Sequence, residues 1–188
     1  TGGLEREIAP KVGNPGGFVC DEMGLGKTIL MLGAIVSNFK SKTLVVLPLA
    51  LLEQWRSVIL KFCGHNPLIY HGYTAKNADR ETLDKAPIVL TTYGMIGARK
   101  RPTNYSSPLW DIKWNRLICD EAHHMRNSKT GTFKGAMKIK ADIRWMVTGT
   151  PINNSAKDFY TLCTVAGQAG AFSGSKTVEE ARAVIRAI

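Results

Sequence analysis

An apolar run, a glycine-rich turn ending in Gly-Lys-Thr and a second, longer apolar run follow one another near the start of this chain. That order constrains the fold more than any other feature. The first run, Gly16-Gly17-Phe18-Val19-Cys20, suits a buried strand, and Ile29 to Phe39 is long enough for a helix. Between them lies Asp21-Glu22-Met23-Gly24-Leu25-Gly26-Lys27-Thr28. Gly24 and Gly26 allow backbone angles and a close approach that a Cβ blocks, so successive N–H groups can point at phosphate oxygens beside a helix N-terminus. In that geometry Lys27 reaches the β- and γ-phosphates and the Thr28 hydroxyl ligates Mg²⁺. The usual G-x-x-x-x-G-K pattern opens on glycine where this chain has Asp21. Taken alone, the stretch therefore also reads as a plain glycine-rich turn.

A second motif decides between these readings. In Arg116-Leu117-Ile118-Cys119-Asp120-Glu121-Ala122-His123 an apolar strand ends in two adjacent carboxylates. A core strand gains nothing by ending in like charges, and a solvated turn is the bland alternative. A nucleotide site uses both acids: Asp120 to hold Mg²⁺ through water, Glu121 to orient and deprotonate the attacking water.

Together the motifs resemble helicase superfamily two, and their spelling is similar to that of the Swi/Snf-type DNA translocases. Asp21 to Thr28 looks like motif I of that family, whose Asp fills the mismatched position. Thr43-Leu44-Val45-Val46-Leu47-Pro48-Leu49-Ala50-Leu51-Leu52-Glu53-Gln54-Trp55 resembles motif Ia, and Leu90-Thr91-Thr92-Tyr93 resembles motif Ib. Asp120 to His123 with Met125-Arg126-Asn127 resembles motif II, and Val147-Thr148-Gly149-Thr150-Pro151 motif III. The resemblance spans about residues 16–165. It implies a RecA-like, three-layer α/β fold of the P-loop NTPase type, with ATP and Mg²⁺ as cofactors and double-stranded DNA as partner. Within it Lys27, Glu121 and His123 are the expected catalytic residues, with Thr28 and Asp120 at the metal. His123 is expected to bridge motif II to the γ-phosphate and motif III. Thr148, Gly149 and Thr150 are expected to couple the ATP and DNA sites, and Pro48, Leu49, Thr91, Thr92, Tyr93 and Arg126 to meet DNA. The Arg126-Asn127 pair with Trp110 and Trp114 looks more like repair- and transcription-associated members than nucleosome-sliding ones.

At 188 residues the chain suffices for one α/β domain with a real core. Strands are expected near 43–48, 88–93, 115–120 and 145–150, forming a mainly parallel sheet with helices on both faces. Leu51 to Phe62 has helical apolar spacing, and its Trp55 reads as core rather than a base-stacking platform. Tyr73 to Pro87 and Gly97 to Lys113 read as polar loops. The four cysteines show no Cys-x-x-Cys pair and read as small buried residues of a reducing compartment; Cys20 and Cys119 come close if their strands are adjacent. The apolar run Ile29 to Val36 falls far short of a membrane span, so no membrane partner is expected.

The formal net charge of +10 points to a polyanionic partner, although a basic solvated surface has the same composition. Residues 99–144 carry eleven Lys or Arg against four acids. Arg99-Lys100-Arg101 reads first as a solvated loop, and Lys134, Lys138 and Lys140 as the polar face of a helix with Met137 and Ile139. Ligands of parallel α/β sheets gather at the C-terminal strand ends, where motifs Ia and Ib fall, and this raises the DNA reading.

Residues 1–15 read as a strap, 16–166 as the ATP-binding lobe, and 167–188 as a linker with a terminal helix capped by Thr177. Superfamily-two enzymes usually carry an adenine-reading glutamine upstream of motif I, yet the only glutamines are Gln54 and Gln168, and truncation is the favoured explanation. The expected second RecA-like lobe, which supplies arginine fingers, is absent from these residues. Two alternatives stand at this point: an RNA helicase lobe, since motif II also spells Asp-Glu-Ala-His, and a non-catalytic nucleic-acid-binding module. The expected location is the nucleus in a eukaryote, otherwise the cytoplasm or a viral replication site.

Overall fold

A computed structural model describes residues 16–20, 26–39, 41–97, 106–150 and 156–168. Asp21 to Leu25, the Arg99-Lys100-Arg101 run, Pro151, the 1–15 strap and the helix expected over 177–188 lie outside them.

Strand β1 (Gly16–Val19) leads toward helix α1 (Lys27–Ser37), followed by β2 (Thr43–Leu47), a 3₁₀ turn at Leu49–Leu51 and α2 (Leu52–Cys63). Next come β3 (Leu68–Tyr70), α3 (Gly72–Asn77), α4 (Arg80–Lys85), β4 (Ile88–Thr92), α5 (Tyr93–Ile96) and α6 (Pro108–Asp111). The chain continues with β5 (Lys113–Asp120), a 3₁₀ turn at Ala122–Met125, α7 (Gly131–Lys138), β6 (Lys140–Val147) and α8 (Ala156–Val165). The six strands form one sheet in the order β1-β6-β5-β2-β4-β3, and every pairing is parallel. This is the expected three-layer architecture.

β2 and β4 are buried at all five positions, as their unbroken β-branched and leucine-rich runs require of central parallel strands. One core packs Met31, Leu32 and Ile35 of α1 and Leu52, Trp55 and Ile59 of α2 on Val45, Leu90 and Ile118 of the sheet. Alternate strand residues face the other way: Leu44, Val46, Leu117 and Cys119 meet Leu83, Ile96, Trp110, Ala136 and Leu162. Helix spacing at 31, 32 and 35 thus puts α1 beside α2 on one face, with α4 to α8 opposite. Gly16 begins β1 at φ +135°, where a Cβ would stand 2.0 Å from the Arg144 carbonyl oxygen, so only glycine lets β1 lie against β6.

Four expectations are corrected. Tyr73 to Pro87 is not a loop: it holds most of α3 and all of α4, the latter capped by Asp79 Oδ1 accepting from the Thr82 N–H at 2.8 Å. The segment read as a loop to Lys113 contains α6. Lys140 does not extend a helix; α7 ends at Lys138 and Lys140 opens β6, whose lysine, aspartate and arginine at 140, 142 and 144 alternate as a strand should. Cys20 and Cys119 follow or lie on strands separated by β6, so adjacency fails.

Candidate nucleotide and nucleic-acid site

Parallel pairing throughout brings every C-terminal strand end to one edge, and the motif residues gather there. Val19 of β1 pairs with Val147 of β6, and Val147 pairs with Asp120 of β5. The strand feeding the glycine-rich turn, the strand ending in carboxylates and the strand preceding Thr148 are therefore consecutive neighbours.

Gly26 caps α1 in the left-handed region (φ +75°), with no acidic residue in the first turn to compete for the exposed N–H groups. Lys27, the first residue of α1, is 9% exposed, and its charge acts favourably on the Asp120 carboxylate. Thr28 follows, half-buried. Asp120 is 4% exposed: burial raises its pKa, opposed by hydrogen bonds from the Trp55 indole and the Glu121 N–H and by Lys27, while Glu121 pushes with burial. Trp55 Nε1 donates to Asp120 Oδ2 at 2.8 Å, and Glu121 N donates to Oδ1 at 2.9 Å.

Glu121 adopts φ 50°, ψ 50°, a left-handed backbone that costs a non-glycine residue about 1–2 kcal/mol. The kink ends β5 abruptly and starts the 3₁₀ turn that presents His123. His123 Nδ1 lies 3.1 Å from Glu121 Oε2 and 3.5 Å from Thr148 Oγ1. Burial first, then the neighbouring His124, lowers the His123 pKa; Arg126 adds to this, and Glu121 and Asp120 oppose it. Neutral imidazole is thus favoured at this position, able to donate from one nitrogen and accept at the other.

The turn after β6 is tied to the turn after β5 at a second point. Arg126 Nη2 donates to Thr150 O and Thr150 Oγ1, both at 2.7 Å, and Thr150 N donates to Thr148 Oγ1 at 3.2 Å. Thr148 and Thr150, two of the three residues expected to couple the sites, are therefore in contact with the turn after β5 through His123 and Arg126.

The residues expected to meet DNA divide. Pro48 is half-buried and Leu49 60% exposed, at the C-terminal end of β2. Thr91 is fully buried with its hydroxyl donating to Tyr70 O at 2.9 Å, and Thr92 is buried with Oγ1 3.1 Å from His71 Nδ1. Tyr93 is 7% exposed and its hydroxyl donates to Asp120 O at 2.6 Å. The hydroxyls of Thr91 and Tyr93 are thus engaged inside the fold. His124 is exposed but stacks on both Tyr93 (5.0 Å between centroids) and His123 (4.7 Å). Trp55, read only as core, also holds Asp120. No local signal marks that contact, because 65 residues separate the two.

The basic stretch is more dispersed than its sequence suggests. Lys113 and Lys140 open β5 and β6 at the opposite edge, where Lys113 pairs with Asp142 at 3.3 Å. Arg116 is 1% exposed and donates to Asn38 O at 2.7 Å, capping the end of α1; Arg144 donates to the carbonyls of Val165 and Ile139. Burial lowers the pKa of both guanidinium groups. Among the described residues no helix is long and apolar enough to cross a membrane, and no cluster of His, Cys, Asp and Glu with metal-holding geometry is present.

Residues 8–177 match the family described as the SNF2-related domain. The chain is 34% identical over 175 residues to the DNA repair protein rad8 of Schizosaccharomyces pombe, a match that covers 78% of this chain and 15% of that protein. It is 37% identical over 153 residues to a probable global transactivator of Orgyia pseudotsugata multicapsid polyhedrosis virus, covering 78% of this chain and 30% of the viral protein. Among solved structures it is similar to the Sulfolobus solfataricus SWI2/SNF2 ATPase core in complex with dsDNA. The TM-score is 0.70 at 27% identity, over 93% of this chain and 39% of that one. The chain thus spans under a third of the length of either relative.

Proposed function

The chain belongs to the SNF2-related family, and from that premise we propose that it is the ATP-binding lobe of a DNA-stimulated ATPase that moves along double-stranded DNA. The observation that carries the reading is the consecutive order β1-β6-β5, which sets Lys27, Asp120 with Glu121, and Thr148 at one sheet edge. The residues present fit a magnesium–nucleotide complex. A buried carboxylate keeps acceptor capacity beyond its two protein donors, and a mostly buried lysine beside it starts a helix whose N-terminal amides suit an anion.

Magnesium-bound ATP supplies the phosphoanhydride whose cleavage drives the cycle. Lys27 contributes fixed positive charge at the phosphate end of α1, and Gly24 and Gly26 permit the backbone to approach. Thr28 and Asp120 are the residues that would hold the metal. Glu121 orients water and takes its proton on a carboxylate oxygen, and His123, 3.1 Å away, fixes that carboxylate and reports its state to Thr148. Thr148, Gly149 and Thr150 then pass the change to the DNA side. Contacts with duplex DNA come from the same edge, where Leu49 is exposed after β2 and the chain turns at Tyr93 after β4, and main-chain contacts of this kind read no sequence.

A second RecA-like lobe completes the ATPase by adding positive charge across the phosphates. The larger extent of the similar ATPase core supports this, since this chain covers 39% of it. The likeness to DNA repair proteins supports work on nuclear DNA in a eukaryotic cell, and the viral relative supports a replication site in a virus. The testing experiment titrates a fluorescent ATP analogue into Lys27→Ala and Glu121→Gln. Lys27→Ala should abolish binding, because its charge acts in the ground state, whereas Glu121→Gln should bind normally and fail to turn over. Equal loss of binding in both removes Glu121 from the role of base.

A further inference from the structure

Trp55 lies in the first turns of α2, fully buried against the sheet. A buried indole N–H needs an acceptor, and a nearby backbone carbonyl suffices, as Trp114 shows by donating to Leu109 O at 2.9 Å only five residues away. Trp55 instead reaches across 65 residues of chain to Asp120 Oδ2 at 2.8 Å. The other carboxylate oxygen, Oδ1, accepts from the Glu121 N–H at 2.9 Å.

These donors approach from different parts of the fold. One belongs to the main chain just past β5, the other to a helix packed on the sheet face that carries Val45, Leu90 and Ile118. One hydrogen bond leaves a carboxylate free to turn about its Cβ–Cγ bond. Two, one on each oxygen, fix the plane of the group and leave further lone pairs available in a set direction. A packed indole is well suited to the task, because its ring has nowhere to move and its N–H cannot rotate as a hydroxyl can.

From this geometry we infer that Trp55 is a positioning residue for the magnesium site, acting through Asp120. The inference rests on the reading of Asp120 as the carboxylate that faces magnesium. Residues that hydrogen-bond metal-holding groups typically change metal affinity by about 10–100-fold when removed. The lower end applies here, because the Glu121 N–H remains when the indole is lost.

The test measures binding rather than turnover. A non-hydrolysable fluorescent ATP analogue is bound to this chain at increasing Mg²⁺, for the unaltered protein, Trp55→Phe, Asp120→Asn and the double variant. Trp55→Phe keeps an aromatic ring in the core and removes the N–H. It should raise the Mg²⁺ concentration at half-saturation roughly tenfold while leaving Mg²⁺-free nucleotide affinity unchanged. Asp120→Asn should raise that concentration as well, and adding Trp55→Phe to it should change nothing more. Replacing Trp55 with benzothienylalanine, which keeps the bicyclic shape without the N–H, should reproduce the Trp55→Phe shift if Trp55→Phe folds poorly. An unchanged Mg²⁺ midpoint in the benzothienyl protein, or additive effects in the double variant, overturns the role of Trp55 while leaving Asp120 at the metal. No shift in Asp120→Asn overturns the reading of Asp120 and this inference with it.

Discussion

Arg126 admits a decisive experiment, because the sequence assigns it to DNA whereas its contacts join the two turns. Its Nη2 donates to both the carbonyl and the hydroxyl of Thr150 at 2.7 Å, which holds the turn after β6 against the turn after β5. A hydrogen bond from a charged group contributes about 1.5–3 kcal/mol when buried. Arg126 is only half-buried and one nitrogen serves both acceptors, so the pair together is worth about 1–2 kcal/mol. If that energy is present only in the arrangement that couples the sites, Arg126→Ala should reduce DNA-stimulated turnover by roughly 5- to 30-fold. Arg126→Lys should do nearly the same, because an ammonium lacks the guanidinium's fixed geometry. Neither should alter the salt dependence of DNA binding. A phosphate contact behaves differently: its loss lowers the slope of log affinity against log salt by about 0.9, and lysine restores it. The assay pairs ATP turnover at saturating DNA with DNA affinity over a range of salt, in the full-length protein. A reduced slope in Arg126→Ala, restored in Arg126→Lys with coupling intact, refutes the clasp and returns Arg126 to the DNA contacts.

Other consequences can be checked on stability and chemistry. Tyr93→Phe removes the donor to the buried Asp120 carbonyl and should lower stability by about 1 kcal/mol, roughly 2–4 °C in the thermal midpoint; an unchanged midpoint means the hydroxyl is not engaged there. Burial pushes the Cys119 and Cys163 thiols up to about 12. Their thiolate fraction at pH 8 should therefore be about a thousandfold below an ordinary cysteine's, and alkylation mapping should find both protected relative to Cys63. The same shift sets a pH dependence: above about pH 9 unfolded thiols lose protons that native ones keep, so stability should fall as pH rises from 9 toward 12. Replacing both with alanine should flatten that alkaline limb, and an unaltered limb removes these thiols as its cause. Gly16→Ala drives a Cβ to 2.0 Å from Arg144 O and should cost about 3 kcal/mol or more by denaturant titration; tolerance of the alanine places β1 elsewhere.

What the sequence made legible follows from how far its signals reach. Gly26-Lys27-Thr28 and Asp120-Glu121 are recognisable because backbone permissiveness and charge act among adjacent residues. β2 and β4 are recognisable because central parallel strands need unbroken apolar runs. β3 escaped notice because Leu68–Tyr70 is too short to show a period, and it gains its place only by pairing with β4. α3 and α4 read as loop in the sequence because six-residue helices carry little periodicity; α4 buries only Leu83, with its Asp79 cap as the one local clue.

Charge was the least transferable signal, and the reason is topological. A count along the chain treats Lys113, Arg116, Lys140 and Arg144 as one basic surface. A parallel strand, however, sends its two ends to opposite edges of the sheet and its middle into the core. Lys113 and Lys140 therefore lie away from the edge holding Asp120 and Thr148, and the two arginines are spent on main-chain carbonyls. Arg126, by contrast, comes just after the 3₁₀ turn that follows β5 and remains at that edge, so its 2.7 Å contacts with Thr150 lie beside the carboxylates, whereas those of Arg116 lie at the far end of the strand. The contacts that aim the site, from Trp55 to Asp120 and from Arg126 to Thr150, each join motifs that sequence reads separately. They exist only because strand order makes β5 and β6 neighbours and packs α2 across the sheet, so they become visible only once the chain is folded.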